Sequence, residues 1–76
     1  MSRTVVVIAR SNPAEAMRVA AGVTIMGHTV RLLAITPLPA NESLERNLSL
    51  AGVIPEFPDA AGLASAIAGA DHVLSL

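Results

Sequence analysis

The sequence predicts an α/β domain, a minimal three-layer sandwich of about four parallel strands with three helices. Three observations carry this. Thr4 to Ala9 is an unbroken apolar run rich in β-branched residues, and Thr29 to Ile35 is a second strand-like run. Residues 10–28 between them carry helical signals, so the two runs cannot form a hairpin and must be joined by a crossover in a parallel sheet. Further helix-like and strand-like segments then alternate to Leu76.

Strand one, Thr4 to Ala9, is apolar on both side-chain directions, the pattern of a central strand covered on both faces. Asn12 stands at an N-cap, Pro13 suits the first helical position, and Glu15 completes a capping box. The first helix runs from there to about Met26 and ends at Gly27. Strand two spans Thr29 to Ile35 and should neighbour strand one. Thr36-Pro37-Leu38-Pro39-Ala40 is a stiff extended loop, because each proline fixes its own torsion and biases the residue before it.

Asn41 or Pro39 opens a second helix, Glu42 to Ala51, with Leu44, Leu48 and Ala51 on one face and Gly52 closing it. Val53-Ile54, reaching at most Phe57 and broken by Pro55, reads as a clipped third strand. Asp59 caps a third helix, Ala60 to Ala68, with Leu63 and Ile67 facing inward and Gly69 ending it. Asp71 to Leu76 is the last strand. The arrangement is Rossmann-like or flavodoxin-like, and residues 1–76 form one domain.

Composition narrows the functional classes. A chain of 76 residues buries only roughly 60% of the surface its unfolded form exposes. Yet hydrophobic residues make up 53% and charged residues 14%, against about 25% charged in ordinary soluble domains, and the mean hydropathy is +0.61. Part of this surplus should be covered by a partner. A formal net charge of -1, with one Phe and no Trp or Tyr, argues against nucleic acid, which needs a basic field and stacking platforms. There is no cysteine, hence no disulfide, thiolate metal site or cysteine nucleophile. Met1-Ser2-Arg3 before the apolar run mimics a signal peptide, but Arg10, Asn12 and Pro13 interrupt it. No run approaches the ~20 apolar residues of a membrane helix, so the expected location is cytoplasmic.

Helix one supplies the partner surface. Its charged residues, Glu15 and Arg18, share a narrow stripe with Gly22 and Ile25, and the remainder is Ala, Val, Met, Ile or Thr. A helix apolar nearly all round is covered on more than one side, and the sheet is expected to cover only one. The outer flank, Arg18, Val19, Gly22, Val23 and Met26, is therefore expected to pack against another subunit, in a homo-oligomer or with related chains.

A ligand would sit outside the carboxyl ends of the strands. That edge collects Arg10, Ser11 and Asn12 after strand one and Thr36 after strand two. The start of helix one offers N–H groups and a positive dipole end beside Arg10, a weak signal for a small anion or phosphate. With no glycine in the loop, a dinucleotide or nucleoside triphosphate is not expected. His28 and His72 fall at the opposite edge and do not make a metal site. Glu56 and Asp59 are not expected to act as a catalytic pair, since prolines flank one and the other is a cap. No catalytic residue, metal or cofactor is assigned.

Ala16-Met17-Arg18-Val19-Ala20-Ala21-Gly22, leading into Met26-Gly27-His28-Thr29-Val30-Arg31-Leu32-Leu33, together with Gly52-Val53, resembles the DsrE/DsrF-like sulfur-relay family. The same Gly-His-x-Val turn also opens the second strand of many sugar-nucleotide glycosyltransferase domains. The DsrE/DsrF likeness implies a cytoplasmic oligomer whose active members carry a persulfide on a cysteine after the third strand. Here that loop is Pro55-Glu56-Phe57-Pro58, and no other side chain in the sequence forms a persulfide. The resemblance thus implies a non-catalytic scaffold or binding subunit. The alternative is a small-anion or phosphate-binding module, or a minimal enzyme, that uses the loop after strand one.

Overall fold

The computed structural model describes residues 3–76; Met1 and Ser2 of the signal-like start lie outside the described residues. The elements are β1 (Thr4–Ala9), α1 (Pro13–Ile25), β2 (Thr29–Ala34), α2 (Glu42–Ala51), α3 (Ala60–Ala68) and β3 (His72–Ser75). β1 is the middle strand of a sheet ordered β2-β1-β3. It pairs in parallel with β2 from Thr4↔Thr29 to Ala9↔Ala34, and with β3 from Val5↔His72 to Ile8↔Ser75. The crossover predicted between the first two strands is present.

Among the described residues the sheet has three strands, where about four were expected. Of the clipped third strand expected at Val53-Ile54 and reaching at most Phe57, only Glu56 pairs, in a single parallel bridge to Leu33 of β2. The Glu56 N–H donates to the Leu32 carbonyl at 2.9 Å, and the Ala34 N–H donates to the Glu56 carbonyl at 2.8 Å. In a parallel ladder the next donor toward the same neighbour lies two residues on, and that residue is Pro58, which has no N–H. Val53, taken as the strand's start, instead donates to the Leu48 carbonyl at 2.9 Å and is buried.

Alternate residues of β1 feed separate clusters, as a strand covered on both faces requires. Val5, Val7 and Ala9 join Leu32 and Ala34 of β2, Ala16, Met17, Ala20 and Ala21 of α1, and Leu48 of α2. Val6 and Ile8 join Leu33 and Ala66 of α3, with Leu63 and Ala70 packed alongside. The inward pair of α3 is therefore Leu63 with Ala66; Ile67, expected inside, is 40% exposed. Val19 and Val23 of α1, and Leu44 and Ala51 of α2, are half-buried against the first cluster. Helix α2 thus supplies, within the chain, some of the cover that α1 needs.

Helix starts follow their caps. The side-chain oxygens of Asn12, Asn41 and Asp59 accept from the backbone N–H of Glu15 (3.2 Å), Leu44 (3.1 Å) and Gly62 (2.7 Å). The capping box of α1 is only half made, because the Glu15 carboxylate bonds the Arg18 guanidinium, which also lowers the Glu15 pKa. Gly52 ends α2 with φ 76°, a left-handed conformation in which a Cβ is strained.

The single bridge at Glu56 is reinforced from the side chains. Arg31 Nε and Nη2 donate to the two Glu56 carboxylate oxygens at 3.0 and 2.7 Å, a bidentate pair at the sheet's edge. Hydrogen bonding from Arg31 is the main cause that lowers the Glu56 pKa.

Two measurements check this description. Leu33 is fully buried between β1 and α3, so Leu33→Ala should cost about 2–5 kcal/mol in urea unfolding. Glu56 is held ionised by folding, so its contribution is complete above the unfolded carboxylate pKa and disappears as pH falls through the lower native value. Glu56→Gln should therefore lower the melting temperature slightly at pH 7, because the pair is half-exposed, with the gap to the parent closing on acidification; a gap that widens toward acid contradicts the pairing.

Candidate functional site

The chain passes from β1 to β2 on one side and returns to β3 on the other, so its order reverses between the carboxyl ends of β1 and β3. In an open parallel sheet a ligand is expected in that crevice. Here backbone closes it: the Arg10 and Ser11 N–H groups both donate to the Leu76 carbonyl, at 2.7 and 2.9 Å, and the Leu76 N–H donates to Ile8 at 2.9 Å. Two of the amides that an anion would use are already engaged.

Thr36 does reach the same edge. Its hydroxyl donates to the Ala9 carbonyl at 3.4 Å, and the Ile35 N–H donates to that oxygen at 3.1 Å. The loop after β2 therefore lies against the end of β1, and Arg10, Ser11, Asn12 and Thr36 share one end of the sheet. None of them lines either of the two clefts below. The Asn12 side chain is occupied as the cap of α1. This arrangement terminates a strand and starts a helix.

The larger cleft, of about 870 Å³, was not legible from the sequence. Three separated segments form it: the Pro37-Leu38-Pro39 loop, α2 at the exposed Glu45 and Ser49 and the buried Leu48, and the stretch from Gly52 to Pro55 with Phe57, with Met17 of α1 as floor. A sequence signal existed in the prolines that bracket both loops, but nothing in their spacing placed the loops side by side.

A second groove of about 400 Å³ runs between α1 and α2 and is lined by Arg18, Ala21, Gly22 and Ile25 of α1 with Asn47, Leu50 and Ala51 of α2. The residues expected at a subunit interface divide here. Arg18 and Gly22 line the groove, Met26 stands exposed beyond the end of α1, and Val19 and Val23 turn partly into the core. Ile25 and Leu50 belong to this surface and were not among the expected interface residues: Ile25 shares the Arg18–Gly22 stripe on the side away from Val19 and Val23, and Leu50 stands on the neighbouring helix.

At the opposite edge, the Thr4 N–H donates to the Asp71 carboxylate at 2.8 Å, and Arg3 Nη1 lies 3.4 Å from His72 Nε2. His28 immediately precedes β2. Both histidines are thus away from the carboxyl edge. Glu56 bonds Arg31 and Asp59 caps α3, so the two carboxylates have separate structural tasks. Among the described residues no three His, Cys, Asp or Glu side chains cluster as metal ligands, and no helix is long and apolar enough to cross a membrane.

Neither a family model, nor a curated protein sequence, nor a solved structure matches this chain.

If the β1–α1 loop serves structure, its residues should matter for stability according to their bonds. Asn12→Ala should lower stability by about 1 kcal/mol through loss of the cap, while Arg10→Ala should stay within about 0.5 kcal/mol; chemical denaturation of the two variants checks the contrast.

Proposed function

We propose that this chain is a non-catalytic, DsrE-like subunit of a cytoplasmic assembly, one that binds through the outer face of α1 and α2 and works as scaffold or partner for sulfur-relay proteins. The fold is read as a reduced Rossmann-like arrangement in which the clipped strand at Glu56 leaves a three-stranded sheet. Without cysteine the chain forms no persulfide itself.

One observation supports the binding role above others. Ile25 and Leu50, 82% and 81% exposed, face one groove together, with Met26 at 74% beside its end. Burying an aliphatic side chain of this size is worth about 1.5–3 kcal/mol, and a contiguous apolar patch of this kind marks interaction sites. Gly22 lines the same groove, and beyond its own stretch of helix nothing lies within 4 Å of where a Cβ would be, so a second backbone can approach closely there. The Arg18–Glu15 pair lies on the same helix and provides a polar rim. The anion-binding alternative at Arg10, Ser11, Asn12 and Thr36 has less support, because Leu76 engages two of its amides.

A second copy of the chain is the partner that the test addresses. Sedimentation velocity at micromolar concentration should give a dimer or larger particle, and Leu50→Asp or Ile25→Asp should return it to monomer with an unchanged circular dichroism spectrum. A parent chain that stays monomeric under these conditions contradicts the proposal.

A further inference from the structure

We infer that the 870 Å³ cleft is a binding site for a small amphipathic amine, a molecule with an apolar body and a cationic head. The cleft shares no lining residue with the α1–α2 groove, so this inference stands apart from the association proposed above.

Size and position come first. Clefts that hold small ligands span roughly 300–1,000 Å³ and are mostly apolar with a few placed polar groups. This one opens beyond the carboxyl end of β2, between the loop that leaves β2 and the segment that leads to the Glu56 bridge. Its floor is already packed: Met17, Leu48 and Val53 are buried in the main core. Its walls are stiff, because Pro37 and Pro39 fix one loop and Pro55 the other. Little conformational entropy remains to be lost when a ligand enters. Ile54 and Phe57, both exposed, stand at the mouth and offer apolar surface that the folded chain leaves in water.

Charge then selects the ligand. Glu45 is the only ionisable residue among those lining the cleft, and Ser49 lies four residues on, one turn along the same face of α2. The two ion pairs among the described residues join Arg18 to Glu15 and Arg31 to Glu56, so among those residues Glu45 has no cationic partner. An apolar body seated against the prolines and Phe57 places its polar end toward this carboxylate and hydroxyl. A cation is attracted there and an anion repelled. The amine N–H groups donate to the Glu45 carboxylate, and Ser49 Oγ accepts a further hydrogen bond.

The experiment uses the full chain and three probes of one shape: naphthylmethylamine, naphthylmethanol and naphthoic acid. Amide chemical shifts are followed during titration near neutral pH and low salt. The amine should bind best, with shifts centred on Leu38, Ser49, Gly52 and Phe57 and not on Arg10 to Asn12. Because Glu45 is exposed, Glu45→Gln should weaken the amine by about three- to fivefold and bring it level with the alcohol. Ser49→Trp, an exposed position where added bulk fills the cleft, should abolish binding of all three probes while the helical spectrum is kept. The inference is overturned if the acid binds as tightly as the amine, if Glu45→Gln leaves the amine unchanged, if the shifts map elsewhere, or if no probe binds.

Discussion

The constraint on which the rest of this structure depends is that β1 has no polar side. Thr4 through Ala9 lies between β2 and β3, with Val6, Val7 and Ala9 fully removed from water and Val5 and Ile8 nearly so. A strand like this cannot exist in a two-layer domain, since either face would be left wet. It therefore requires apolar helices against both faces, and the chain supplies them: the alanine-rich α1 on the side of Val5 and Val7, and α3 on the side of Val6 and Ile8. Small side chains on these helices allow close approach, and for the same reason each buries little area. The larger cluster accordingly draws in α2 through Leu48, while the smaller rests on a single buried residue of α3, Ala66.

That asymmetry accounts for where the apolar surface remains. A domain this small has few residues with which to cover a core on two faces. Helix α2 lies alongside α1 on the side of Arg18, Ala21, Gly22 and Ile25, and it adds Leu50 to the outside as it does so. The loops that carry the chain into and out of α2 are proline-stiffened and stand apart, and the space between them is the larger cleft. Both candidate binding surfaces are thus consequences of how α2 is attached. The crevice where the strand order reverses, by contrast, is sealed by main-chain hydrogen bonds from Arg10 and Ser11 to Leu76.

Local chemistry was legible in the sequence wherever one residue decides a boundary. Asn41 with Gly52, and Asp59 before an alanine run, delimit α2 and α3, because a cap oxygen and a left-handed glycine act within one turn. The continuous apolar run announced β1. The further strand failed because β-propensity does not show which N–H a ladder needs, and at that position the residue is Pro58. The site was less legible than the fold. Arg10, Ser11, Asn12 and Thr36 do meet at one edge, as parallel topology dictates, but a carbonyl far along the chain, Leu76, takes the loop's amides. The same distance in sequence hid the Arg31–Glu56 pair and the cleft, since each is assembled from segments with no common periodicity. Helical spacing on α1 found a surface containing Arg18 and Gly22, yet it missed Ile25 and Leu50 because the helix that shares the groove was not placed.

Native-state amide hydrogen exchange tests the central claim, that a doubly covered β1 holds the molecule together, more directly than any substitution. The amides of Val6, Val7 and Ile8 should exchange only through global unfolding, while those of the exposed strand β3 open at lower free energy through local motion. If the β1 amides exchange as readily as those of His72 to Ser75, β1 is not the element on which the fold depends, and the account built on its two buried faces is wrong.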